Sequence, residues 1–315
     1  MALTASSPWT SFKPTGLYGV GMRLGFIGLG RMGSGMASRL LDNRGFLCVY
    51  NRNPLAAKVL LAKGAEAVLE PSGLADCEVV FTMLADDQAV RETVLASRTL
   101  LDSLKPGAVH VSCSTISVSL AAELAERHAA HGQEFLSMPV FGRPDAAAAG
   151  RLFLVAGGDP AVVERLRPLF GLVGQDLWWV GRAPEIANLV KLSGNFLMAA
   201  TIEAMGEAMA LVEKGGVDRH AYLDFLTRSL FTAPIHHNYG KLLADRAVRP
   251  AGFAAPLGQK DMGLVQQAAE MLSVPMPFSG ILRERFLALA ARGMSDVDWA
   301  AIGLEAAREA AVAGV

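Results

Sequence analysis

The stretch from Pro184 to Gly216 limits the fold more than any other. It carries no proline after its first residue, and its apolar side chains recur at three and four positions: Ile186, Leu189, Val190, Leu192, Leu197, Met198, Ile202, Met205, Met209, Val212. That is a helical period. Pro184 suits a first turn, where its missing N–H costs nothing, and Gly215-Gly216 is a stop signal. A helix of about 30 residues, at roughly 1.5 Å each, runs about 45 Å. One layer of a small domain needs less, so the helix is expected to span two domains. Apolar residues on more than one of its faces predict burial on several sides. Lys191 and Asn195 interrupt the pattern. Four apart, they share one face, about 6 Å from each other. A lysine in such a helix is paired, used chemically, or snorkels its head to water.

The chain has 315 residues, above the usual size of one core, so two domains are expected. It is 52% hydrophobic and 19% charged, with a net charge of −1. No basic run interleaves with aromatics, which argues against a nucleic-acid partner. Polar residues break each apolar run before about 18 residues, so no membrane-spanning helix is expected. Cys48, Cys77 and Cys113 are few, odd in number and without metal-ligand spacing, which fits a reducing, cytoplasmic setting. Residues 1–21 have no apolar core and are not a secretory signal. They read as a flexible leader, or as an early start before Met22.

Arg23 to Gly28 reads as a short buried strand running into Gly28-Leu29-Gly30-Arg31-Met32-Gly33, a G-x-G-x-x-G, and then into a helix. Strand, glycine turn, helix is the context that makes this motif a dinucleotide site. Gly28 allows the tight turn, Gly30 lets the backbone approach a pyrophosphate, and Gly33 lets helix pack on strand. The helix amino terminus offers N–H groups and a positive dipole end. The next strand, Phe46 to Tyr50, ends at Asn51-Arg52 where NAD-binding folds usually place a carboxylate for the ribose 2′-OH. A carboxylate repels a 2′-phosphate and a guanidinium pairs with it, so NADP is favoured, with NAD possible. Arg52 stacking on the adenine or facing solvent is the alternative.

Strands are then expected at 65–68, 79–84, 109–112, 134–138, 152–156 and 178–180. Helices are expected at 54–62, after Asp86 and at 120–131. This alternation implies a doubly wound parallel sheet, with ligands at the carboxyl ends of its strands. Gly28 to Gly33, Asn51-Arg52, Met83-Leu84, Ser114-Thr115 and Pro139-Val140 would surround one crevice. The segment Pro139-Val140-Phe141-Gly142-Arg143-Pro144-Asp145 and the alanines after it read as a loop, and the strand at 152–156 as an antiparallel addition. The domain boundary falls near Arg182, giving a leader at 1–21, a nucleotide-binding domain at 22–183 and an all-helical domain at 184–315. Helices are expected in the latter at 218–229, 234–244, 257–271, 278–292 and 296–311. Lys260-Asp261 sits at one helix start as a solvated cap pair or a functional one, and Trp299 reads as packing. His236-His237 point to different sides of a helix and no spaced carboxylate joins them, so no metal site is expected. No G-x-S-x-G elbow supports a serine hydrolase.

Four elements together resemble the β-hydroxyacid dehydrogenases: GFIGLGRMG at 25–33, Cys113-Ser114-Thr115-Ile116, Lys191 with Asn195, and Lys260-Asp261. Relatives in that family include 3-hydroxyisobutyrate dehydrogenases, tartronate semialdehyde reductases and glyoxylate/succinic semialdehyde reductases, all similar to 6-phosphogluconate dehydrogenase. The resemblance implies a Rossmann-like domain, a long interdomain helix and an all-α second domain that forms homodimers or homotetramers. It implies that Lys191 is the catalytic lysine and that Asn195 positions a small-molecule substrate. Thr115 and Lys260 would lie at the nicotinamide end, with Asp261 supporting Lys260. Ser114, Gly142 and Asp261 are then also substrate-side candidates. One departure stands out. The family's substrate loop usually reads Pro-Val-Ser-Gly-Gly, whereas this one reads Pro139-Val140-Phe141-Gly142-Arg143. Phe141 removes a hydroxyl that holds the substrate carboxylate, and Arg143 adds a guanidinium that grips a carboxylate or faces solvent.

The reaction so implied is hydride transfer between a nicotinamide and a carbonyl carbon, with Lys191 as general acid in reduction and base in oxidation. Two rivals remain at this stage. One is an imine reductase in the same fold, toward which Phe141 leans and from which the retained lysine leans away. The other is a non-catalytic cofactor-binding scaffold, whose known examples lack the lysine.

Overall fold

Strands form where the chain is β-branched or aromatic and bounded by turn residues, and the glycine loop hangs on the first buried one. The computed structural model describes residues 9–11 and 21–314. Among the described residues ten strands build one sheet: β1 (Trp9–Ser11), β2 (Leu24–Ile27), β3 (Cys48–Tyr50), β4 (Glu66–Ala67), β5 (Val79–Thr82), β6 (Val109–Ser112), β7 (Glu134–Ser137), β8 (Val140–Phe141), β9 (Leu152–Gly157) and β10 (Gly174–Gly181). Six of them, in the order β4-β3-β2-β5-β6-β7, are parallel. The order reverses between β2 and β5, and a doubly wound sheet opens its ligand crevice at that reversal. Beyond β7 the sheet continues antiparallel through β9, which β8 also joins, and β10 runs parallel to β9.

Both faces of β2, β5 and β6 are covered, which accounts for their continuous apolar runs. Phe26, Phe81, Val109 and Val111 pack with Met36 and Leu40 of helix Arg31–Arg44 and with Leu166 and Phe170 of helix Pro160–Val173. Ile27 and Val80 pack on the other side with Leu120 and Leu124 of helix Val118–Ala130.

Several expectations need correction. Within the 1–21 leader, Trp9–Ser11 pairs antiparallel with β10; residues 1–8 and 12–20 lie outside the described residues. The alanine segment after Arg143 is a short helix, Pro144–Ala148, with Pro144 at its first position. Alanine's helix propensity and a proline-preset first turn win over the loop reading. Helix Pro160–Val173 was not foreseen; it carries Pro168 inside it, a residue that usually breaks a helix. The segment expected as a last helix at 296–311 is a 3₁₀ turn, Trp299–Leu304, and then a short helix, Glu305–Glu309.

The chain forms two compact units, Met1–Lys191 and Leu192–Val315, and helix Glu185–Lys214 runs through the division. By length and composition that helix could cross a bilayer. It also buries Asn195 and Glu203 at 2% and 0% exposure, as a helix packed in protein does. Not every apolar side chain along it is buried, since Leu197 and Leu211 are exposed.

The second unit is helical, with Arg219–Arg228, Pro234–Ala244, Ala255–Met271 and Pro277–Ala291. Trp299 is buried, packs edge-on to Tyr239 and Phe253, and donates its indole N–H to the Tyr239 hydroxyl. It serves packing, as its sequence context suggests. Asp298 sets where this segment starts: it caps Ala300 and accepts the N–H groups of Gly252 and Phe253.

Candidate active site

The glycine loop follows β2 without a bend to spare. Gly28 has φ +93° and lies so close to Met83 that a Cβ would sit 2.3 Å from its carbonyl oxygen. Gly33 faces the carbonyl of Gly28, where a Cβ would sit 1.8 Å away. Gly30 is different. A Cβ there meets no heavy atom within 4 Å, and helix Arg31–Arg44 starts on Gly30 with no side-chain cap. Arg31 is exposed and Met32 half-buried. The open face above Gly30 and the uncapped helix end fit a dinucleotide pyrophosphate: bare N–H groups and a positive dipole end face a space that a side chain would fill.

Asn51 ends β3 and braces this loop. Its Oδ1 accepts the Leu29 N–H at 2.8 Å and its Nδ2 donates to the Asn53 carbonyl at 2.8 Å. The side chain is committed to shaping the loop, which leaves the neighbouring Arg52, exposed, as the group open to a ribose substituent. After β5, Met83 and Leu84 lie against Gly28, and the Leu84 N–H donates to Ser114 Oγ at 2.8 Å. Ser114 is fully buried, so its hydroxyl ties two strand ends together. Thr115 beside it is half-buried.

The start of the long helix is pinned by a residue that the sequence reading overlooked. Asn188 is fully buried, donates to Ser137 Oγ at 2.5 Å and receives the Ile116 N–H at 3.5 Å. A single amide thereby grips the end of β7 and the segment that follows β6. Its signal was an asparagine three positions before Lys191 in an otherwise apolar period. Lys191 follows, 8% exposed, with Nζ 4.2 Å from the centroid of the Phe141 ring. Gly142 next to Phe141 is exposed at φ +143°, and Arg143, half-buried, leads helix Pro144–Ala148.

In the second unit Asn195 Nδ2 donates to Asp261 Oδ2 at 2.5 Å, and Lys260 Nζ lies 3.0 Å from Asp261 Oδ1. Asp261 is 1% exposed, so its carboxylate is turned toward these two groups. With Nδ2 so used, Asn195 Oδ1 is buried and has no hydrogen-bond partner among the described residues. A buried acceptor without a donor is costly and suits a ligand O–H or N–H. The structure thus gathers Gly28, Met83, Leu84 and Ser114, joins Phe141 to Lys191, and separately joins Asn195, Asp261 and Lys260.

A second unforeseen feature starts from Thr82, at the end of β5. Thr82 Oγ1 lies 2.9 Å from His110 Nε2, His110 Nδ1 2.9 Å from His128 Nε2, and His128 Nδ1 2.7 Å from Gln133 Oε1. Gln133 Nε2 donates to the Leu101 and Leu104 carbonyls. Its oxygen must therefore accept from His128 Nδ1, and with both imidazoles neutral, as burial favours, every donor points in one direction. Burial pushes the His110 pKa well down, helped by His128, and pushes His128 down to about 4 despite the Gln133 bond. No group of three His, Cys, Asp or Glu side chains able to hold a metal occurs among the described residues.

Comparison with known proteins agrees with this architecture. Residues 23–181 match the family described as the NAD binding domain of 6-phosphogluconate dehydrogenase. Residues 186–304 match the NAD-binding family of NADP-dependent 3-hydroxyisobutyrate dehydrogenase. The oxidoreductase YfjR of Bacillus subtilis is 36% identical over 282 residues, 89% of this chain and 98% of that protein. The 2-hydroxy-3-oxopropionate reductase of Escherichia coli is 32% identical over 282 residues, 89% of this chain and 96% of its own length. The crystal structure of 3-hydroxyisobutyrate dehydrogenase from Salmonella typhimurium superposes with a TM-score of 0.81 at 27% identity, covering 90% of this chain and 99% of that one.

Proposed function

The chain belongs to the β-hydroxyacid dehydrogenases, NAD(P)-dependent oxidoreductases, and on that premise we propose an NADP-preferring reductase of small semialdehydes or oxo acids with Lys191 as its general acid. The observation that carries the proposal is a nearly buried amine, Lys191, in the same unit as the dinucleotide cradle. Burial of an amine is costly unless it has work to do.

A nicotinamide held in this cradle would supply the hydride chemistry. The chain's own residues do the rest. In reduction the Lys191 ammonium gives a proton to the carbonyl oxygen as negative charge develops there; in oxidation the neutral amine takes it from the hydroxyl. Help of this kind is worth about 10² to 10⁴ in rate. In the second unit, Asn195 keeps an unpartnered Oδ1 that accepts a hydrogen bond from the hydroxyl of the alcohol form, and Asp261 with Lys260 fixes the amide's direction. Arg52 pairs with the 2′-phosphate of NADP, since Asn51 is already spent on the loop and contributes no repelling charge.

Phe141 favours a second reading, reduction of a C=N bond, because it puts an aromatic ring where the family usually has a hydroxyl. One experiment separates the readings: NADPH and NADH consumption with succinic semialdehyde, glyoxylate, tartronate semialdehyde and a cyclic imine. The proposal expects turnover of a carbonyl acid, faster with NADPH, and a preference for NADPH that collapses in Arg52→Ala. Turnover of the imine alone contradicts it.

A further inference from the structure

The backbone on either side of Phe141 is fixed. It ends β8, where Val140 pairs with Leu154 and Phe141 with Phe153 of β9. Val140 is 4% exposed, so the pleat turns Phe141 to the opposite face. Gly142 follows at φ +143°, where a Cβ would sit 2.6 Å from Leu152 Cδ2, so the chain must leave the strand along one path. On the helix side, Asn188 pins the turn before Lys191 to Ser137 and Ile116. Two anchored backbones therefore present a ring and an ammonium to each other. A lysine head rides on a long rotatable stem, and its donors fix no direction by themselves. The face of an aromatic ring is electron-rich and attracts a cation within about 6 Å of the centroid.

We propose that Phe141 is a positioning residue: its ring face, 4.2 Å from Lys191 Nζ, holds the ammonium at one point on the helix so that its N–H groups are aimed for proton transfer. This rests on the acid role proposed for Lys191. The plane of the ring closes off one side of the ammonium, leaving its donors to the other. A leucine fills similar space but has no electron-rich face, whereas tyrosine keeps one. Replacing the aromatic ring by an aliphatic side chain thus removes the aim and leaves the packing.

The contact is tested first without turnover. In cofactor-free protein labelled with 13Cε-lysine, Lys191 is assigned as the signal missing from Lys191→Arg. A methylene held over a ring face is shifted upfield, so the Lys191 signal is expected upfield of ordinary lysine positions, to return there in Phe141→Leu and to stay shifted in Phe141→Tyr. In turnover, Phe141→Leu is expected to lower kcat by roughly 2- to 30-fold, the range a cation–π contact spans, with KM for the carbonyl substrate little changed and with Phe141→Tyr restoring kcat. An unshifted Lys191 signal in the unaltered protein overturns the proposal, and that reading needs no variant to fold. Lys191→Ala separates the two layers. If Lys191→Ala loses turnover while Phe141→Leu keeps it, the positioning role alone fails. If Lys191→Ala keeps turnover, the acid role fails and the positioning role falls with it.

Discussion

Gly30 and Gly33 stand three residues apart in one motif, and the structure gives them different reasons to be glycine. A Cβ at Gly33 would sit 1.8 Å from the Gly28 carbonyl oxygen and 3.1 Å from the Phe26 ring. The first helical turn would have to move by more than an ångström, and overpacking on this scale costs typically about 1–3 kcal/mol, sometimes more. At about 2–4 °C per kcal/mol for a unit of this size, Gly33→Ala is expected to lower Tm by roughly 6–12 °C if the cost reaches about 3 kcal/mol. At Gly30 the backbone is at φ −70° and ψ −170°, an extended conformation open to alanine, and the added methyl touches nothing. Losing a glycine cap costs a few tenths to about 1 kcal/mol, and stiffening the unfolded chain returns about 0.4–1, so the net change is expected within about 0.5 kcal/mol. The methyl does project into the space above the helix end. Excluding a pyrophosphate from one or two charge-assisted hydrogen bonds, worth about 1.5–3 kcal/mol each, weakens NADPH binding by at least about 10-fold. Melting curves and NADPH fluorescence titrations of the two variants read both quantities. A Gly30→Ala variant that binds NADPH like the parent, or a Gly33→Ala variant that melts like it, refutes the reasoning.

Two further predictions concern buried charge. His110 and His128 have folded pKa values below the unfolded value of about 6.5, so the unfolded chain binds more protons; their contribution to stability is intact above about pH 6.5 and is lost as pH falls toward 4. Histidine NMR should therefore show His128 neutral down to about pH 5, and an ordinary titration near 6.5 contradicts the one-directional chain from Thr82 to Gln133. Glu203, fully buried against Arg285 Nε at 2.5 Å, has its carboxyl pushed up to about 7 because burial outweighs the guanidinium. A raised carboxyl favours folding below its unfolded pKa and loses that benefit as pH rises through 7. Arg285→Ala strands this group and should cost about 3–5 kcal/mol by urea unfolding at pH 8, and less at pH 5 where Glu203 is protonated. An equal loss at both pH values speaks against a charged Glu203.

Local chemistry made part of this structure legible. The glycine motif, the strand–helix alternation and the helical period from Ile186 onward each follow from residues close in sequence, and each lies where expected. Elements that depend on distant partners were hidden. β8 is two residues long and exists because β9 runs beside it. Pro168 lies within helix Pro160–Val173, which packs Leu166 and Phe170 against the sheet, so burial overrides a local breaker. Asn188 looks like any polar interruption until Ser137 and Ile116 are seen to hold it. The Phe141–Lys191 contact joins residues fifty positions apart, and no sequence period reports it. Asn51 was read as a missing carboxylate; its bonds to Leu29 and Asn53 show that it also shapes the glycine loop.

The role of Lys191 is tested most directly by comparing the unaltered enzyme with Lys191→Ala in two assays on one preparation, NADPH affinity by fluorescence and steady-state reduction of its best carbonyl substrate. The account predicts turnover lower by about 10² to 10⁴ with NADPH affinity nearly unchanged. Turnover that survives the loss of the amine contradicts it.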